Sequence, residues 1–245
     1  MPSARIEELQ DLYDASLNET WAHDDFLPAE ISESRKIFTP ESLDRRIPVT
    51  KKYEVWAWVW GAPLPYCLTK ELEGVQQQVK EILGSTMAYF VEPRLQGTEL
   101  SRLKMPEDEL TNEEIDRARR VARVYLSEEC PFQVDYEGIG ITPKAVLVAK
   151  GYDSSGVVPK IRRELESRVH YASKNQSSLV HIPLGRILEQ VGPKKFERLK
   201  EFVYDNWERP LGNVIVSRIN LVHERQWYDE KEVIDTIPLH PGNVF

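Results

Sequence analysis

Leu179-Val180-His181-Ile182-Pro183-Leu184-Gly185-Arg186-Ile187-Leu188 places one histidine inside an apolar, strand-like run. Side chains on a pleated strand alternate between faces. His181 and Pro183 therefore share one side, and Val180, Ile182 and Leu184 share the other. If the aliphatic set enters a core, the imidazole looks into a cleft, where its near-neutral titration can be used. The same pattern also fits a histidine that only lines a sheet and is hydrogen-bonded there. Simple alternation puts Arg186 on the aliphatic side, unless the strand bulges or ends before it.

The rest of the body reads as strands and helices in alternation. From Tyr53, Val55, Ala57 and Val59 alternate with Trp56, Trp58 and Trp60, giving a strand with two apolar faces. The tryptophan face is either a stacking platform for a base, with Trp58 at its centre, or a surface covered by helices. Thr69 is a candidate cap for a helix with the stripe Leu72, Val75, Val79 and Ile82, which Gly84 ends. Strand-like segments follow at Met87–Val91 and near Leu95–Leu103. Thr111-Asn112-Glu113-Glu114 is a capping box opening a second helix.

A similar unit then recurs. Phe132–Ile141 and Ala145–Gly151 read as strands, Pro159–Val169 as a helix, and the His181 segment as a strand. A helix marked by Phe196, Leu199 and Val203 comes next, then closing strands at Val214–His223 and Val233–Leu239. The sequence has neither G-x-G-x-x-G nor a Walker loop. The expected class is α+β: two similar lobes, mainly antiparallel sheets flanked by helices, with a central groove. This body spans 51–245. Residues 1–50 are acidic and irregular, and read either as an extension wrapped on the body or as a solvated arm.

Composition narrows the function. With 245 residues the chain is long enough to bury a full core, and 41% hydrophobic with 29% charged residues is ordinary for a globular protein. A net charge of −8 argues against an extended nucleic-acid surface, which needs clustered Lys and Arg, but leaves room for a local phosphate site. Cys67 and Cys130 are far apart and suggest neither a zinc site nor a disulfide framework. No segment reads as a signal core or a membrane span, so the expected location is cytoplasmic.

Over about residues 52–240 the layout resembles the two-histidine (2H) phosphoesterase superfamily, which includes 2′-5′ RNA ligase-like proteins and cyclic nucleotide phosphodiesterases. The resemblance rests on Tyr53–Pro63, on Phe90-Val91-Glu92-Pro93-Arg94-Leu95-Gln96-Gly97-Thr98-Glu99-Leu100, on Val180–Arg186, and on Ile219–Glu224 with the tail ending Ile237-Pro238-Leu239. It implies two His-x-Thr/Ser pairs, one per lobe, facing each other across a phosphodiester. One imidazole removes a proton from the attacking water, the other protonates the departing ribose oxygen, and the hydroxyls steady the phosphoryl charge. Neither a metal nor a cofactor is implied.

The sequence departs from that motif twice. Gln96-Gly97-Thr98 has glutamine for the first histidine, and His181-Ile182-Pro183 has proline for the second hydroxyl. The expected catalytic pair is thus His181 and Thr98, with Gln96, Arg102, Arg186 and Trp58 as candidate substrate-binding residues and no metal ligands. His170 is the first candidate to replace the missing imidazole. Glu99 is expected on the opposite strand face, and His23, His223 and His240 read as structural or solvated. Three readings follow: a divergent phosphoesterase acting on a cyclic phosphodiester of a nucleotide or short RNA end, a non-catalytic binding descendant, or an unrelated α+β protein.

Overall fold

Val55, Ala57 and Val59 lie on one face of β1 (Lys52–Trp60) and Trp56, Trp58 and Trp60 on the other, and all six are buried. In the computed structural model, which describes residues 4–104, 110–169, 177–228 and 231–240, this strand sits inside a four-stranded sheet. The tryptophan face turns into the main hydrophobic core, and the smaller side chains face the groove. Three N-terminal helices precede it: α1 (Ala4–Thr20), α2 (Pro28–Arg35) and α3 (Pro40–Asp44).

After β1 come α4 (Tyr66–Leu83), β2 (Ala88–Phe90), a short 3₁₀ turn at Pro93–Leu95, β3 (Thr98–Lys104) and α5 (Asn112–Leu126). The second half runs β4 (Phe132–Ile141), β5 (Val146–Tyr152), α6 (Val157–Arg168), β6 (Val180–Ile187) and α7 (Pro193–Asp205). The chain closes with β7 (Pro210–Val216), β8 (Arg218–Gln226) and β9 (Lys231–Pro238). All strand pairs are antiparallel, in sheets of order β3-β1-β8-β9 and β2-β6-β5-β4-β7. The α+β class with two antiparallel sheets about a groove is as expected.

The lobes are interleaved more than the sequence implied. β2 leaves the first half and pairs with β6, Ala88 against Ile187 and Phe90 against Gly185. The expected strand Val214–His223 is broken at Ser217 into β7 and β8, which join different sheets. Leu68, Leu72, Val75, Val79 and Leu83 line the buried side of α4, which begins at Tyr66 after Pro65 and not at Thr69. Pro65 is the N-cap residue, so the helix starts about one turn earlier than Thr69 would start it. The Thr111–Glu114 capping box forms as read, each side chain bonding the other residue's backbone N–H.

Residues 4–50 pack on the body. Leu9, Tyr13 and Leu17 form the buried stripe of α1. The Tyr13 hydroxyl accepts from Gly151 N at 3.0 Å and donates to the Val180 carbonyl, where β5 and β6 part. Thr20 Oγ1 reaches the Ile141 carbonyl at 2.8 Å. Among the described residues no helix is long and apolar enough to cross a membrane.

Candidate functional site

A cavity of about 320 Å³ opens between the two sheets. Its floor on the five-stranded side is the face of β5 and β6 carrying Val146, Val148, His181, Pro183 and Arg186. The opposite wall carries Ala57, Val59, Gly97, Glu99 and Arg102 from the four-stranded sheet, with Glu224, Trp227, Tyr228 and Lys231 from the β8–β9 hairpin.

His181 is where the strand pattern put it. Val180, Ile182 and Leu184 are fully buried on the core side, and the imidazole edges the groove. Its Nδ1 is shut off from solvent and has no hydrogen-bond partner among the described residues. Burial, and then the Arg162 guanidinium, push its pKa down to about 4, so the ring is neutral at pH 7. Arg186 also reaches the groove, because the β5–β6 register shifts between Leu147 and Val148 and a bulge reverses the parity beyond Pro183.

The first strand is read one residue out of register by sequence alone. Thr98 is 1% exposed and points into the core, where its Oγ1 lies 2.6 Å from Tyr136 Oη. It therefore cannot serve a ligand in the groove as His181's partner. Gly97 and Glu99 face the cavity in its place. Pairing fixes this: Glu99 opposes Val59, whose side chain faces the groove, and Thr98 opposes Trp60, whose ring faces the core. A further register shift in the β1–β3 pair brings Arg102 back to the groove side opposite Ala57.

The two strands then match. Gly97-x-Glu99-x-x-Arg102, entering β3 from the residue before it, repeats the spacing of His181-x-Pro183-x-x-Arg186 on β6, each with a register shift before its arginine. Gly97 holds the place of His181. A Cβ there would meet the Trp60 carbonyl oxygen at 2.4 Å, so the close approach to β1 leaves no room for any side chain. This spacing, with the pairing of β1, is the signal that could have found Glu99.

Trp58 needs the same kind of correction. It is fully buried on the core face of β1, so it offers no stacking surface to a base. The helix-covered alternative is the one the fold adopts. Gln96 does line the cavity but is 2% exposed, its Nε2 donating to the Tyr228 carbonyl at 3.3 Å and its Oε1 accepting from Lys231 at 3.4 Å. His223 stacks on Trp56 and bonds Glu54, on the face away from the groove. His23 and His240 are exposed. His170 lies outside the described residues.

Charge in the groove is mixed. Arg102 donates to Glu99 Oε2 from both Nε and Nη2, at 3.1 and 2.8 Å, and lies 5.0 Å over the Trp227 ring. Arg162, missed from sequence because it sits on α6 far from either motif, is 7% exposed. It ties the motif strands together: Nε donates to Leu100 O at 2.9 Å, and Nη2 to Glu99 O at 3.1 Å and Leu179 O at 3.0 Å. Burial lowers its pKa to about 10, which leaves it charged. Glu224 is buried 3.6 Å from Lys231, and burial raises its pKa.

Neither a family model nor a curated protein sequence matches this chain. Solved structures do. A conserved protein of unknown function from Agrobacterium tumefaciens is 12% identical with a TM-score of 0.64, over 90% of this chain and 97% of that one. The TT0787 protein of Thermus thermophilus is 16% identical with a TM-score of 0.53, over 77% and 99%. Escherichia coli LigT complexed with phosphate is 12% identical with a TM-score of 0.52, over 78% and 99%. A further match is a phosphoesterase, and LigT complexed with NADP⁺, with ATP and with 3′-AMP also matches. At such identities the likeness is one of fold. The fold expected from the sequence is the one these structures share with this chain.

Proposed function

We propose that the groove binds the phosphate of a nucleotide or short RNA end and hydrolyses a 2′,3′-cyclic phosphodiester there, without a metal. The observation that carries this reading is His181: a neutral imidazole at the groove edge, beside Arg162, with its Nδ1 unpartnered among the described residues. Arg102 and Arg162 supply positive charge in the groove beside His181, and guanidinium forks suit phosphate oxygens. The bound ligands of LigT, phosphate and three nucleotides, support a nucleotide phosphate in a groove of this fold.

In this mechanism neutral His181 accepts a proton from water as the water oxygen attacks phosphorus. The bond from phosphorus to one ribose oxygen breaks, and the imidazolium returns its proton to that oxygen. The nearby guanidiniums offset charge on the equatorial oxygens. One ring does both transfers, because the place of a first-motif imidazole is held by Gly97. A single general acid or base is worth about 100- to 10,000-fold, so turnover is slower than a two-imidazole site would give.

A second reading is binding without turnover, and Gly97 with Glu99 on the groove face of β3 favours it. The two readings part on a panel of 2′,3′-cyclic nucleotides incubated with purified protein. Appearance of 2′- or 3′-monophosphates supports hydrolysis. Saturable binding of 3′-AMP with no product from any member of the panel leaves the binding reading.

A further inference from the structure

We infer that the groove holds a second phosphate subsite, built from Arg186, Tyr228 and Ser34, which takes the next phosphate of a ligand whose first phosphate lies at His181. This rests on the reading of the groove as a phosphoester site. Arg186 Nε and Nη2 both donate to Tyr228 Oη at 3.1 Å, and Nη1 donates to Ser34 Oγ at 3.3 Å. Among the described residues these neutral hydroxyls are its hydrogen-bond partners, and it pairs with no carboxylate. Elsewhere in this acidic chain Arg46, Arg123, Arg168 and Arg209 each take a Glu or Asp. The fork of Arg186 instead closes on one hydroxyl oxygen, the contact that a phosphate oxygen makes more strongly.

Three separate parts of the chain build this corner: Ser34 from α2, Arg186 from β6, and Tyr228 from the β8–β9 hairpin. Tyr228 is held there at a cost. Its φ is +67°, a left-handed conformation unfavourable to a tyrosine. Its N–H is fixed by Glu224, its carbonyl by Gln96, and its ring stacks near Tyr89. Strain of this kind persists where surrounding contacts over-determine a position, and here it aims a hydroxyl at an arginine.

The spacing sets the ligand. His181 and Arg186 are five positions apart on one face of β6, about 15 Å along the backbone, and the Arg186 side chain spans part of that distance, since its charge is felt at the His181 ring. The backbone separation is farther than one phosphoryl group spans. Between them the floor is Pro183, Val146 and Val148, which donate no side-chain hydrogen bond. Polar ends around an apolar strip fit phosphate, nucleoside, phosphate in series. The ligand thus carries at least one nucleoside with a phosphate on both its 5′ and 3′ sides, as the second residue of a dinucleotide 3′-phosphate does.

The test is calorimetric titration of the full chain with 3′-AMP and with a diadenosine dinucleotide carrying a 3′-phosphate. The dinucleotide is expected to bind more tightly, with a log–log salt slope steeper by about 0.7, the increment for one further phosphate contact on a single strand. Arg186→Gln should remove that advantage, about ten- to a hundredfold, and leave 3′-AMP binding as it was. Arg186→Lys, which keeps the charge without the fork, should retain part of it. Equal affinity of the wild type for both ligands, or equal weakening of both by Arg186→Gln, overturns the subsite. Failure of the wild type to bind either ligand overturns the phosphoester reading as well.

Discussion

Thr98 Oγ1 and Tyr136 Oη share a 2.6 Å hydrogen bond inside the core, across the two sheets. That contact removes Thr98 from the groove and leaves Glu99 facing it. Burial pushes the Tyr136 hydroxyl up to about 12, so it stays a neutral partner. Thr98→Val keeps the shape but takes from the buried Tyr136 hydroxyl its 2.6 Å partner, which costs about 1–3 kcal/mol. The expected result is a lower urea midpoint with unchanged 3′-AMP affinity. Loss of affinity without loss of stability would return Thr98 to the ligand.

His181 makes stability depend on pH. Its native pKa, about 4, lies below the ordinary histidine value of about 6.5. Between these values the unfolded chain binds a proton that the native chain does not, so stability falls as pH drops from about 6.5 to 4. The full effect is up to about 3 kcal/mol. Urea unfolding at pH 7 and pH 5 should show a smaller decline in His181→Gln than in the wild type. Equal declines would mean the ring is not desolvated.

Lys150 stands opposite His181 in the β5–β6 ladder and is 1% exposed, its Nζ 3.4 Å from the centre of the Trp207 ring. Tyr13 from α1 and Tyr152 complete the enclosure. Burial lowers its pKa to about 8, so at pH 7 the ammonium is kept charged at a cost that the ring contacts only partly offset. Lys150→Met should raise stability at pH 7 by about 1–2 kcal/mol. Because native Lys150 loses its proton more readily, the gain should shrink from about pH 8 to pH 10.5, which a melting series would follow. A lower melting temperature at pH 7 would contradict this.

What the sequence disclosed follows from how each strand is written. β6 alternates cleanly from Val180 to Leu184, so the groove-facing side of His181 is legible in the sequence. β3 mixes Thr98, Glu99, Ser101 and Arg102 on both sides, and a one-residue slip exchanges its faces. Only its pairing with β1 settles which side meets the ligand. Arg186 and Arg102 were candidates whose routes to the groove depend on register shifts, which leave no mark in a single sequence. The tryptophans of β1 fit a platform and a core equally well by pattern, and packing chose the core. Arg162 reaches the site from a helix, through tertiary contacts that no local motif encodes.

The most direct test compares wild type with His181→Ala on a 2′,3′-cyclic nucleotide, with 3′-AMP affinity measured on the same preparations. The account predicts product from the wild type, a fall of at least about 100-fold in kcat for the variant, and affinity changed far less. Product formed at the same rate by both proteins would contradict it.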